Sequence, residues 1–248
     1  MKTKHVWMFL LLLATCLVGN SVFCSCSEDD VEETPPATVT PPGGNATEEK
    51  DTHEYVDLGL PSGTLWAMCN VGANSPEEYG DYFAWAETEP KGNYTWSTYK
   101  YYNGTTLTLT KYCIDSWFGT TDNKTVLESS DDAATANWGS GWQMPSRKQC
   151  DELYNSSYTT TTWTTLNGVD GKKIISKSNG NSIFLPAAGY RNDASLSDAG
   201  SNGYYWSRSL STSGSYCAYC LGFYSSGFDT SSNYRCYGRS VRPVRVKK

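Results

Sequence analysis

With 20 Lys and Arg against 26 Asp and Glu, the 248-residue chain carries a formal net charge of −6, so counterion-driven binding to nucleic acid has no basic field to work with. Hydrophobic residues make up 38% and aromatic residues 14%, with 18 Tyr and 9 Trp; a core here must be built from large rings more than from Leu and Ile runs, which favours a β-rich or irregular fold. Of the 2 histidines, His5 falls in the leader and His53 at the edge of a linker, which leaves the expected folded body without imidazole and excludes Ser-His-Asp, Cys-His and imidazole-zinc chemistry there.

The chain begins with Lys2 and Lys4, continues through an apolar run from Val6 to Val18, and reaches small Ser25 just before Cys26. This is the layout of a signal peptide with cysteine at the cut, and the apolar run is short for a membrane span. Cys24 follows bulky Phe23 and Cys16 lies inside the apolar run, so Cys26 is the better lipid acceptor. Two or more acyl chains on one cysteine satisfy the requirement for stable anchoring. Glu28, Asp29 and Asp30 behind Cys26 are similar to the export signal of bacterial lipoproteins carried to the outer face of the outer membrane. Residues 1–25 therefore read as a lipoprotein signal peptide. Residues 26–52, rich in Glu, Asp, Thr, Pro and Gly, read as a disordered linker, and residues 53–248 as one domain of ordinary size.

From Tyr55 the texture becomes short alternating segments broken by Gly, Asn and Ser, the signature of strands and turns. Asp131 and Asp132 stand ready to cap a short helix through Ala133, Ala134 and Ala136, and Ser146 with Gln149 forms a capping box for a helix from Arg147 to Asn155. On that helix Cys150, Leu153 and Tyr154 share a face, which makes Cys150 a buried structural residue. Six cysteines remain in the body (Cys69, Cys113, Cys150, Cys217, Cys220 and Cys236), an even count that permits disulfides without fixing their pairing.

Six segments in order, Val56 to Trp66, Tyr79 to Trp85, Trp142 to Ser146, Phe184 to Arg191, Gly203 to Ser207 and Gly238 to Val244, resemble the Fibrobacter succinogenes major paralogous domain over nearly all of residues 53–248. The resemblance implies an α+β, C-type lectin-like fold with small twisted antiparallel sheets, about two helices and much irregular loop, in the branch that also holds the formylglycine-generating enzyme. Gln143 stands where that family usually has a basic residue, and Gln149-Cys150 replaces an acidic-aromatic pair. The same motifs place Trp66, Trp85, Trp142 and Trp206 in the core, with Arg239 and Arg242 acting through geometry near the last strand.

Between Ser207 and Val246 there is no Trp, Met, Gln, Lys or Glu, while Tyr, Ser, Gly, Asn, Asp and Cys crowd together. Those five missing types are the ones that codons ending in a pyrimidine cannot specify, which is what adenine-directed mutagenesis by a diversity-generating retroelement leaves, and the known targets of such elements resemble this fold. Chance bias in a Tyr/Ser-rich strand is the competing explanation. Tyr and Ser are also the adaptable contact residues of antibody paratopes. The candidate ligand-binding residues are Tyr216, Cys217, Tyr219, Cys220, Gly222, Tyr224, Ser226, Phe228, Asp229, Ser231, Asn233, Tyr234, Cys236 and Tyr237. Period two along the strand sends Leu221 and Phe223 inward and Cys220, Gly222 and Tyr224 outward.

No metal or other cofactor is expected. Cys217-Ala218-Tyr219-Cys220 lacks the second Cys pair that a structural zinc needs. The copper-binding cysteines of the formylglycine-generating branch are spaced differently and preceded by an Arg-Gly-Gly-Ser run missing here. Calcium-dependent sugar binding would want an amide after Glu89-Pro90, where Lys91 stands. The expectation is a lipid-anchored cell-surface protein, with no catalytic role and no nucleic-acid partner, whose monomeric domain binds an extracellular protein or glycan. A copper oxidase and an adhesive appendage subunit are the competing readings.

Overall fold

The computed structural model describes residues 52–246; Cys26, its acidic neighbours, the leader and nearly all of the linker lie outside the described residues. The first strand, β1 (Tyr55–Asp57), pairs antiparallel with β2 (Thr64–Ala67). The chain then runs through irregular loops, a short 3₁₀ turn at Trp96–Thr98 and the two-residue strands β3 (Tyr102–Asn103) and β4 (Thr108–Leu109).

Two helices follow, each started by the residue the sequence marks. Helix α1 (Ala133–Trp138) is capped by Asp132, whose Oδ1 accepts from Thr135 N at 3.0 Å; the same carboxylate accepts from Met144 N. Helix α2 (Arg147–Tyr154) starts on the reciprocal Ser146–Gln149 box, and Gln149 Nε2 reaches on to Thr64 Oγ1 at 2.8 Å, tying the helix start to β2. Cys150 and Leu153 are fully buried on its inner face.

Strands β5 (Thr159–Leu166), β6 (Val169–Ser176) and β7 (Ser182–Pro186) form an antiparallel meander. The β5–β6 turn is Asn167-Gly168 with φ of 48° and 86°, the positive pair that a tight hairpin of matching twist requires. After the small hairpin of β8 (Tyr190–Asn192) and β9 (Ser195–Ser197) comes the sheet of β10 (Gly203–Leu210), β11 (Cys217–Phe223) and β12 (Phe228–Tyr234). Strand β13 (Val244–Val246) returns to pair with β2. Small antiparallel sheets, two helices and long loops make this an α+β fold. Among the described residues no helix is long and apolar enough to cross a membrane.

The β10–β11 ladder is the wall between two cores. Trp206 and Cys220, opposite each other in register, join one cluster with Trp85, Tyr112 and Leu210; Tyr205 and Leu221, the next pair, join the other with Cys150, Leu153 and Trp66. Consecutive residues therefore go to opposite cores, and at these two pairs both faces of the wall are dry. Trp85 Nε1 donates to Ser207 O and Trp206 Nε1 to Phe83 O, both at 2.8 Å, so the two indoles cross-brace the segments that carry them. Trp66, Trp85, Trp142 and Trp206 are each at most 1% exposed, as the motifs predict.

One expectation is corrected. His53 is part of the folded body: its ring stacks on Trp138 with centroids 3.7 Å apart and planes 3° from parallel, edge-on to Trp142. All six body cysteines are free thiols.

Candidate functional site: an aromatic strip over buried arginines

The last stretch of sheet brings together rings from six separate parts of the sequence. Phe118 meets Tyr216 (centroids 5.0 Å apart), Tyr216 meets Trp96 (5.1 Å), Trp96 meets Tyr234 (6.0 Å), and Tyr234 meets Tyr237 (5.7 Å). Tyr237 then meets Tyr190 (5.6 Å) and Tyr190 meets Tyr204 (5.5 Å), while Tyr102 sits beside Trp96 (5.1 Å). Every ring in this strip is partly open to solvent. Leu107 and Trp117, 62% and 86% exposed, flank it on loop tips: the Leu107 carbonyl accepts from Tyr216 Oη at 2.7 Å, and Trp117 precedes Phe118. Large apolar side chains held this far into water mark an interaction surface more often than a fold requirement.

Of three buried arginines in this last stretch, Arg239 meets the strip directly at Tyr190 and Tyr204 and Arg235 reaches it through Tyr99. Arg235, fully buried, donates through Nε to Tyr99 Oη (2.9 Å), through Nη1 to the Tyr112 and Ser215 carbonyls and through Nη2 to that of Lys111, and its guanidinium faces the rings of Trp85 and Tyr99. Tyr99 in turn packs edge-on against Trp96. Arg239 lies 4.7 Å from the centroids of both Tyr204 and Trp206, donates Nη1 to Cys220 Sγ at 2.7 Å and leaves Nε without a partner. Arg242 binds Asn70 Oδ1 and the carbonyls of Ala67 and Met68. None of the three pairs with a carboxylate among the described residues; carbonyl dipoles, ring faces and a sulfur take that place, which the cost of an uncompensated buried charge demands.

Hydroxyl usage differs between the buried rings and most of the strip, where, among the described residues, only Tyr216, on Leu107 O, and Tyr204, which accepts from Asn202 Nδ2, are engaged. Tyr82, Tyr94, Tyr99 and Tyr205 each donate to a backbone carbonyl, and burial pushes all four phenols up. Tyr102, Tyr190, Tyr234 and Tyr237 have no hydroxyl partner among the described residues. The strip thus offers ring surface with unspent donors and acceptors.

Of the sequence-picked residues, Tyr216, Tyr234 and Tyr237 enter the strip. Asp229, Ser231 and Asn233 share one face of β12 beside it, Asp229 and Ser231 exposed and Asn233 half-buried. Tyr224, 53% exposed, and Ser226 occupy the β11–β12 turn, at the end of the strands away from Tyr234. Tyr219 is stacked under the Arg147 guanidinium (4.1 Å) and bonded to Thr212 Oγ1, out of ring contact with the strip. Phe228 packs on Tyr154 and Phe223. Three residues are corrected: Cys220, Gly222 and Cys236 are buried. The alternation along β11 is as expected, but on its second face Cys220 meets the tryptophan core, and Gly222 lies against Tyr204, Asp229 and Ser231. Burial also raises the thiols of Cys69, Cys150 and Cys217 and pushes that of Cys236 up to about 12, the reverse of what a nucleophilic or metal-binding thiolate needs. Cys217 and Cys220, three apart on a strand, point to opposite faces.

Sequence reasoning missed Trp96, Tyr102, Leu107, Trp117, Phe118, Tyr190 and Tyr204. The Tyr101-Tyr102-Asn103-Gly104 and Ser116-Trp117-Phe118-Gly119 runs put rings inside turn signals, which is the local hint that they sit at loop tips.

A family model described as Domain of unknown function (DUF8237) matches residues 158–244, the span from the start of the meander to the first residue of β13. No curated protein and no solved structure matches the chain.

Proposed function

We propose that the chain is a surface-anchored bacterial lipoprotein whose single C-type lectin-like domain binds an extracellular protein or glycan through the aromatic strip. The observation that carries this reading is the unbroken run of partly exposed rings from Phe118 to Tyr204, flanked by solvent-borne Leu107 and Trp117. Rigid rings lose little entropy on binding, and Tyr adds a hydroxyl that adapts to either partner class. The six ordered sequence motifs support the lectin-like assignment, and the Ser25-Cys26 junction with its acidic followers supports the anchor.

The proposed diversification takes a narrower form in this fold. Tyr224, Ser226, Asp229, Ser231 and Tyr234 are exposed and free to vary, whereas Ala218, Cys220, Leu221, Phe223, Arg235 and Arg239 are packed. Variant copies of the gene should differ at the first set and agree at the second; equal variation in both sets would end this part of the reading. Binding is tested by exposing the detergent-solubilised protein to arrays of mammalian and microbial glycans and of extracellular proteins. Selective capture that is lost in Trp117→Ala supports the reading, and capture of nothing on either array overturns it. Fatty-acid labelling tests the anchor: Cys26→Ala should abolish incorporation.

A further inference from the structure

Strand β5 is the open edge of its sheet. The order is β5-β6-β7; β7 is buried from Ile183 to Pro186, whereas Thr160, Thr161, Thr162 and Thr165 of β5 are exposed. Its first residue is closed by the end of α2, where Thr159 N donates to Asn155 O at 3.1 Å. Natural sheets guard such an edge with Lys, Pro, a bulge or a cover. Thr159-Thr160-Thr161-Thr162-Trp163-Thr164-Thr165-Leu166 has no charge, no Pro and no Gly, and it pairs to β6 through all 8 residues without a register shift. Thr and Trp also favour the extended state, so nothing in the strand's own sequence resists a further partner.

The backbone phase shows which groups are left for one. Asp170 O accepts from Ala187 N, and Ser176 N donates to Asn181 O, so the even residues of β6 face β7 and the odd ones face β5. Their partners in register, Thr160, Thr162, Thr164 and Leu166, bond inward. Thr161, Trp163 and Thr165 therefore direct N–H and C=O outward, and no described residue bonds to those groups. The Trp163 ring is held on the core face beside Phe223 and Lys172, which leaves the strand's edge, and not its face, to the partner.

The sequence is also symmetric about this ring: Thr161-Thr162-Trp163-Thr164-Thr165 reads the same from either end. An antiparallel copy turned about Trp163 sets Trp163 against Trp163 and Thr161 against Thr165. Outward positions then meet outward positions, which supplies about six backbone bonds, and Thr–Thr and aromatic pairs are among the favourable cross-strand contacts. Charge does not oppose the pairing. The charged residue in line with the axis is Lys172, opposite Trp163 on β6, and its two copies would lie three strand spacings, about 14 Å, apart, beyond the screening length of about 8 Å at physiological salt.

We propose that β5 pairs antiparallel with β5 of a second copy of this chain, joining two three-stranded sheets about a two-fold axis at Trp163. The surface is isologous, as a closed dimer requires, and the dimer departs from the monomeric domain expected from the sequence. It rests neither on the aromatic strip nor on the residues free to vary.

Sedimentation equilibrium of the full chain in density-matched detergent tests it, with Thr161→Lys/Thr165→Lys and Thr161→Asp/Thr165→Lys as double variants. Both positions are exposed, and Thr165 lies beside Asp170, which receives its hydroxyl and can receive an ammonium instead, so both variants should keep the wild-type near-ultraviolet circular dichroism. The first sets like charges opposite each other on both sides of the axis; the second sets opposite charges there. The expected result is a doubled mass for the wild type, association at least about 10-fold weaker in the first variant, and a doubled mass again in the second. A wild type that remains monomeric to about 100 μM, a first variant that dimerises as well as the wild type, or a second variant as weak as the first overturns the proposal. So does a mass that climbs past two copies, or a monomer whose edge takes up an unrelated extended peptide.

Discussion

Tyr205 and Tyr234 belong to the two outer strands of one three-stranded sheet and put the same side chain to opposite uses. Tyr205 is 1% exposed, stacks on Phe223 and donates its hydroxyl to the Pro186 carbonyl at 2.6 Å. Tyr234 is 47% exposed, touches Trp96 and Tyr237 at its edges and leaves its hydroxyl to solvent. The difference extends to whole regions. In the two cores every large ring is packed, and its polar tip is mostly satisfied, by carbonyls, by Asp131 or by Arg235. In the strip the rings are fixed from beneath by arginine but open above. A buried ring contributes its area to stability, whereas a strip ring keeps most of its area for a partner.

The largest effect should come from breaking the buried side of this contrast. Trp206→Ala removes a fully buried indole and its bond to Phe83 O, and should cost about 3–5 kcal/mol in urea unfolding. Arg235→Ala strands three carbonyls and the Tyr99 hydroxyl, and should cost a similar amount. A loss below about 1 kcal/mol in either would mean that the core is not built as described.

On the open side, Trp117→Ala and Tyr234→Ser should each weaken capture by about 2 kcal/mol, roughly 30-fold, if the strip obeys the usual dominance of aromatic anchors. Their unfolding free energies should move by no more than about 0.5 kcal/mol. Tyr216→Ser sharpens the contrast, because Tyr216 donates to Leu107 O and packs on Phe118 and Trp96. It should lose both binding and about 1 kcal/mol of stability, measured on the same preparation.

Acid should act on the buried side alone. Asp131 is 2% exposed; burial opposes its charge, but hydrogen bonds from Lys111, Tyr101, Tyr112 and Lys100 prevail and hold its carboxyl well below the usual range. A depressed folded pKa stabilises above the unfolded value, near 4, and that contribution is lost as pH falls through the folded value. Unfolding midpoints should therefore drop below about pH 4, and Asp131→Asn should flatten that part of the profile. A profile identical in the variant removes Asp131 from the explanation.

Two glycines give a direct check on packing. A Cβ on Gly203 would meet the Phe223 ring at 2.1 Å, whereas one on Gly222 meets nothing closer than 3.6 Å. Gly203→Ala should cost about 1–3 kcal/mol and Gly222→Ala less than about 0.5 kcal/mol by thermal melting. Equal costs would show that the two faces of the β10–β11 wall are not packed as described.

Local signals in the sequence carried the helix starts, because a cap is a contact between near neighbours: Asp132 with Thr135, and Ser146 with Gln149. The four core tryptophans and Cys150 were legible from motif order and helical spacing. The state of β11 was not, since period two says which residues share a face but not whether the other face is wet; Cys220 is dry only because Trp85, Tyr112 and their neighbours arrive from distant segments. The strip was half legible for the same reason. Tyr216, Tyr234 and Tyr237 stood out by local composition, while Trp96, Trp117 and Phe118 reach it through loop geometry that no spacing encodes. His53 lies beside the expected linker in sequence, and only the fold brings it to Trp138.

The most direct test takes one sample of the Trp117→Ala/Tyr234→Ser double variant and measures its thermal melt and its capture on the glycan and protein arrays side by side with the wild type. A binding strip over an independent core predicts that capture disappears while the melting temperature shifts by less than about 2 °C. Retained capture, or a melting temperature lowered by about 8 °C or more, would contradict the account, the first by placing the ligand elsewhere and the second by making these rings part of the core.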